Sequence, residues 1–364
     1  MQRFLRYALA GFALVAPLVA TASLGAQANA SGSVTQQFNC KASFDAYAVS
    51  DAVRHACGIS KHSLERVIAL QGGGQGYEYS VDGAPATILV PPKGFNPLTA
   101  TAAQLDEYGL PSRPTDQSAL GPWLKMMSNY HPVTPPNFMV SIPDQRHPRV
   151  SATYLANNWS GWVATGNNGN YTIAEGYWNE VSLGSSCTGS NELTWAGLGG
   201  WTSSVLAQDG TAMNVSGLSQ HQAWWEIVTP SGSNINPIAG IVGAAGYGFV
   251  ALTKWIGGGY DFYVYSYSSG LGTTVQVGNS NYTGDTADFI IERGLHNNTL
   301  SPLSNFYYLN YLDAWVNGNG SGNGVGHYSN QNINMYNFSK GYLLANTSGL
   351  SNNTTFTIYY DNCQ

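Results

Sequence analysis

A carboxylate closes the apolar run Ala287-Asp288-Phe289-Ile290-Ile291-Glu292 in a chain where charge is scarce. Side chains alternate along a strand, so the run puts Ala287, Phe289 and Ile291 on one face and Asp288, Ile290 and Glu292 on the other. A carboxylate among isoleucines is costly to bury unless the fold solvates it or uses it. Taken alone, Glu292 reads as an exposed acid at a strand end. Other residues give it chemical company. Gln208 ends Val205-Leu206-Ala207-Gln208 and shares a face with Leu206. Trp224 and Glu226 share one face of Ala223-Trp224-Trp225-Glu226-Ile227-Val228, and Trp195 opens Trp195-Ala196-Gly197-Leu198-Gly199-Gly200. Carboxylates, an amide and indoles suit a groove that holds an extended polymer and hydrolyses it. The indoles suit an apolar core equally well, and Gln208 alone is an ordinary polar strand residue.

Other catalytic chemistries lack their residues. There is no GxSxG elbow, no HExxH pair, no Walker loop and no EF-hand loop. The seven histidines are scattered, and neither His221 nor His296 has a triad context. No metal site and no cofactor are expected. Gly72-Gly73-Gly74 follows an apolar run and reads as a turn.

The elements that position these groups follow from composition. Only 9% of residues are charged, against about 25% in an ordinary soluble protein. Residues 31–150 carry nine bases and nine acids. Residues 151–364 carry three bases (Lys254, Arg293, Lys340) and eleven acids, a net charge of −8. That second segment has no basic patch, so nucleic acid is not an expected partner. Alternating or apolar runs recur along it at 171–181, 193–198, 223–228, 246–255, 260–267, 273–277, 287–291, 306–316 and 354–360, separated by Gly, Asn and Ser. Many short strands with such punctuation predict an all-β fold, a sandwich of two antiparallel sheets in a jelly roll. Residues 31–150 contain helix-like stretches at 43–57 and 101–108. A proline-dense stretch from Pro111 to Pro148 then reads as a linker.

The first 30 residues have the pattern of a secretory signal: Arg3 and Arg6, an apolar stretch from Ala8 to Ala20, and Ala28-Asn29-Ala30 as a cleavage site. No later run is long and apolar enough to span a bilayer as a helix. A secreted, extracellular monomer is expected. Four cysteines then imply two disulfides. Pairing within each part, Cys40 with Cys57 and Cys187 with Cys363, is the simplest of three connectivities. A poorly charged domain has few carboxylates whose protonation drives acid unfolding and few bases to repel one another in acid, so it suits work at low pH or a bland neutral surface.

Six segments, in order, resemble the eqolisin (glutamic peptidase) family. Asn158-Trp159-Ser160-Gly161 resembles its NWSG/NWGG start and Gly176 to Val181 its GTWTVP strand. Trp195 to Gly200 resembles WVGIDG, and Val205 to Gly210 resembles the ILQTG segment with the catalytic Gln. Ala223 to Pro230 resembles AWYEWYP, and Ala287 to Glu292 resembles AEFIIE with the catalytic Glu. Upstream, Tyr108 to Pro114 is similar to the YGLPPRP stretch that precedes the domain in bacterial relatives. The resemblance spans about Asn157 to Val316. It implies an acid-acting, pepstatin-insensitive endopeptidase with a two-sheet sandwich, polypeptide substrates and residues 31–150 as a pro-segment acting as an inhibitor. By resemblance Glu292 is the general base, Gln208 the oxyanion partner, and Trp195, Trp224, Glu226 and Asp288 line the substrate groove. The pro-segment's bases would sit against the acidic domain and release in acid, with cleavage near 144–150.

Three positions depart from the pattern. Gly199 stands where the family has Asp, Val181 where it has Pro, and Asp209 where Thr is usual. The change at Gly199 removes an expected support of the site but leaves the dyad. Two other readings fit the residues. One is a carbohydrate-binding or glucan-cleaving sandwich using Glu226 and Glu292, and the other is a catalytically degenerate eqolisin-like protein.

Overall fold

Alternation in the second segment becomes antiparallel strands in a computed structural model, which describes residues 38–364 except 41–42, 145–153, 167–169, 216, 297–298 and 321. The expected signal, and nearly all of the expected cleavage stretch, lie outside the described residues. Every run read as a strand in the second segment contains one. One sheet runs Ser329–Asn337, Trp159–Thr165, Ala287–Glu292, Glu192–Gly199, Leu206–Met213, Gln222–Val228 and Ser233–Val242. The other runs Phe356–Tyr360, Tyr308–Val316, Ile173–Asn179, Gly248–Trp255, Gly259–Ser266 and Leu271–Gly278. Between them lies the main core, with Trp178, Phe249, Phe262, Phe289 and Tyr311 buried. Each such side chain contributes about 1.5–3 kcal/mol by leaving water.

The first segment differs most from expectation. It is not a helical piece joined by a linker. Within 43–57 only Asp51–Ala56 is helical, capped by the Ser50 side chain. The residues before it turn instead, with Tyr47 N–H donating to Asp45 Oδ1 at 2.8 Å. Ala102–Glu107 is the expected second helix, with a capping box between Thr101 and Gln104. A third helix, Gln117–Ser128, forms despite Pro122. Its buried Trp123, Met126 and Met127 pack with Tyr263 and Tyr265 on the outer face of the second sheet, and that burial outweighs the proline.

Four strands of this segment complete the sandwich. Ala84–Val90 pairs with Leu271–Gly278, and Phe138–Asp144, inside the presumed linker, pairs with Ser233–Val242. Ser60–Ala69 joins Phe138–Asp144 on one side and Gln75–Val81 on the other. At the opposite margin Tyr342–Thr347 links Ser329–Asn337 to Phe356–Tyr360. Hydrogen bonding therefore runs round both layers, which covers sheet edges that would otherwise pair with other chains. Residues Phe38–Gln364 form one compact unit. The glycine triplet makes the expected turn, with Gly73 N–H donating to Leu70 O at 3.1 Å. Both disulfides join cysteines within one part, Cys40 to Cys57 and Cys187 to Cys363. Among the described residues no helix is long and apolar enough to cross a membrane.

Among the described residues, few ion pairs attach the first segment. Arg54 and Lys61 pair with Asp51, and Arg66 with Glu78, all inside that segment. Among the described ion pairs only Lys254 with Asp106 crosses to the second segment, and it has the opposite polarity. Local acids reach those bases first, and strand pairing and apolar contact also attach the described part of the segment.

Eight of the eleven acids in the second segment are buried: Glu175, Glu180, Glu192, Asp209, Glu226, Asp261, Asp288 and Glu292. Burial pushes the Glu175 carboxyl up to about 8, with nearby Asp313 adding to the shift. Burial likewise raises Glu192 to about 8, and Asp261 and Asp313 to about 6. Asp209 and Asp288 are raised well above the usual carboxylate range by the same cause. The folded chain thus holds more protons than the unfolded chain between roughly pH 4 and 8, so stability falls as pH rises through that window. Thermal unfolding at pH 4 is expected at least about 5 °C above that at pH 8. A Tm equal or higher at pH 8 would contradict this.

Candidate active site

Strand alternation sends Glu292, Gln208, Trp195, Trp224, Glu226 and Asp288 to the same face of the first sheet, away from the inter-sheet core. Register arranges that face in three rows. Trp159, Glu292, Leu193, Ala212 and Gln222 stand level across five strands. Gly161, Ile290, Trp195, Gly210 and Trp224 form the next row, and Val163, Asp288, Gly197, Gln208 and Glu226 the third. Glycine is needed in the middle row. A Cβ at Gly161 would strike the Phe289 carbonyl, and one at Gly210 the Thr194 carbonyl.

Glu292 is 2% exposed and held on both oxygens. Asn158 Nδ2 donates to Oε1 at 3.1 Å, and Trp195 Nε1 donates to Oε2 at 3.0 Å. Two N–H donors suit an ionised carboxylate, which only accepts. Asn158 lies in a motif the sequence marked, but its contact with Glu292 follows from the pairing of Trp159–Thr165 with Ala287–Glu292.

Gln208 does not touch Glu292. Its Nε2 donates to Glu226 Oε2 at 2.8 Å, and its buried Oε1 has no hydrogen-bond partner among the described residues. Two strands and four residues of register separate Gln208 from Glu292, with Trp195 in the row between. Glu226 and Glu292 stand three strands apart, a lateral distance of about 14 Å. Asp288 is level with Gln208 across Gly197, fully buried, with neither oxygen hydrogen-bonded. Burial favours its neutral form, with nearby Thr286 opposing the shift and the Asp285 charge adding to it.

The indoles do not line an open groove. Trp195 and Trp224 are both 0% exposed. Phe44, Ala46, Tyr47, Phe138, Val140 and Ile142 of the first segment pack into one apolar cluster with Trp159, Trp195 and Trp224. Tyr47 O–H also donates to the Pro237 carbonyl at 2.9 Å.

The departures have structural explanations. Gly199 has φ +85°, and a Cβ there would collide with Thr283 and the Val205 carbonyl, so no side chain fits. Asp209 points between the sheets, where Thr253 Oγ1 (2.8 Å) and Leu252 N–H (3.2 Å) donate to it and tie the layers together. Val181 is simply buried in the main core. His221 is buried against Glu180, with Nδ1 2.7 Å from Oε2. Among the described residues no group of three or more His, Cys, Asp or Glu is arranged to hold a metal.

The Peptidase A4 family model matches residues 157–360, a span containing Asn158, Gln208, Glu226 and Glu292. Among solved structures, scytalido-glutamic peptidase with a transition state analog inhibitor aligns at 19% identity and TM-score 0.46, covering 56% of this chain and 98% of that chain. A second structure of that peptidase, with a peptide based transition state analog, aligns at 17% identity and TM-score 0.44, with the same coverage. No curated protein sequence matches the chain. The family match covers more than half of the sequence, and the chain belongs to the Peptidase A4, or eqolisin, family.

Proposed function

We propose that this chain is an exported acid endopeptidase in which Glu292 activates water and Gln208 steadies the oxyanion. The observation that carries the reading is the buried Glu292 carboxylate, fixed by Asn158 and Trp195 at the end of its strand. An ionised Glu takes a proton from water as the oxygen attacks the scissile carbonyl, then returns a proton to the leaving amine. Gln208 has two N–H groups on Nε2. One donates to Glu226, which orients the amide. The second is left for the developing oxyanion. The spacing of Glu226 and Glu292 does not suit a retaining glycosidase pair, which needs roughly 5–5.5 Å. Two disulfides accord with an oxidising extracellular compartment.

The cover over this face supports a latent full-length form. Phe44, Tyr47, Phe138 and Val140 occupy the surface a substrate would need. Residues 31–150 then act as an inhibitory pro-segment, and activity requires its displacement or removal. Acid incubation should convert a silent full-length protein into a shorter active one, read by mass and by casein digestion. Full activity from an intact chain would refute the latent form.

Casein digestion across roughly pH 2–7, with an aspartic-peptidase inhibitor present, tests the chemistry. Gln208→Ala in the activated protein should lower kcat by about 10²–10³. A glucan-cleaving pair of glutamates would not depend on Gln208, so undiminished turnover in that variant overturns its role.

A further inference from the structure

Two of the three bases in the acidic second segment, Arg293 and Lys340, line one cavity of about 500 Å³. Arg293 is 6% exposed. Its Nε donates to the Asn157 carbonyl at 2.8 Å and Nη1 to the Ser301 carbonyl at 3.5 Å. No carboxylate pairs with it among the described residues. Burial lowers its pKa only to about 10, so it stays charged at any acid or neutral pH. A buried guanidinium without an anion is costly, and its planar fork matches a carboxylate. Asn157 Oδ1, on the same wall, is buried with no hydrogen-bond partner among the described residues, and it can accept from a ligand backbone N–H beside the carboxylate. Leu295, Leu300 and Pro302 supply apolar surface, and Phe338, 60% exposed, stands at the rim.

The cavity adjoins the candidate base on two chain segments at once. Arg293 follows Glu292, and Asn157 precedes Asn158, whose side chain holds Glu292. Arg293 N–H also donates to the Asn158 carbonyl at 3.0 Å. Every lining residue belongs to the second segment, so the cavity is not part of the surface covered by residues 38–144.

We propose that the Arg293–Lys340 cavity binds a carboxylate of a polypeptide, with the apolar wall taking the side chain of the residue that bears it. The choice of polypeptide rests on the peptidase reading, and binding is therefore measured directly rather than through turnover. Calorimetric titration of the full chain at pH 5 uses three short N-acetylated peptides. One ends in a free carboxylate after Leu, one is its carboxamide, and one is a carboxamide with Glu in place of that Leu. The carboxamide of Leu should bind about tenfold more weakly than the free acid. Lys340→Gln, at an exposed position, should weaken the free acid several-fold and leave the carboxamide unchanged. Arg293→Met should remove the preference. Tight binding by the free acid alone assigns the site to a chain terminus, and tight binding by the Glu carboxamide assigns it to an acidic side chain. Equal affinity for all three peptides, no binding by any, or a preference that survives Lys340→Gln undiminished would overturn the proposal. Absence of peptidase activity from the acid-activated protein, with carboxylate binding intact in the full chain, would instead count against the Glu292 reading alone.

Discussion

A carboxyl group taken out of water must be neutral or well supplied with donors, and this constraint runs through the whole sandwich. Eight acids are buried in a segment with three Lys and Arg, too few for each acid to find a base within that segment. The fold uses two solutions. Asp209 and Glu192 take hydroxyl donors from Thr253 and Thr194, and burial favours their protonated forms. Glu292 instead receives indole and amide N–H groups on separate oxygens. One chemical type, placed by strand register against different donors, thereby serves both as neutral filling and as a candidate base.

On the proposed reading the same face has two states of use. With residues 38–144 in place, Trp195 and Trp224 are core residues under Phe138 and Val140. With that cover displaced, the same indoles and glycines would form a floor for an extended chain. The cover is not a separate lid. Its strands continue both sheets through Ala84–Val90 and Phe138–Asp144, so displacing it also breaks ladder pairing. The three-row face, its cover and the cavity behind Arg293 therefore sit in one continuous structure rather than in two domains.

Alternation was readable from sequence because it is local. The shared faces of Asp288 with Glu292, of Trp224 with Glu226 and of Gln208 with Leu206 follow from a period of two. The disulfide pairing was the simplest of three connectivities that the sequence left open, and the structure contains that one. Register was not readable, since it depends on which strands meet. Hence the level alignment of Gln208 with Asp288, and the Asn158 contact to Glu292, emerge only in three dimensions. Gly199 looked like a lost carboxylate, yet its positive φ and tight neighbours leave no place for one. The proline-dense stretch from Pro111 to Pro148 misled for a related reason. Burial of Trp123 and Met126, and pairing at Asn234, override the local penalty that proline imposes.

The central claim is that Glu292, and not the buried acid that shares its strand face, activates water. Acid-activated wild type, Glu292→Gln and Asp288→Asn should be compared in casein digestion at one acid pH, with folding of each checked by thermal unfolding. The account predicts that Glu292→Gln loses activity by about 10²–10⁴ while remaining folded, and that Asp288→Asn keeps most of it. Wild-type turnover in Glu292→Gln, or a loss confined to Asp288→Asn, would contradict it.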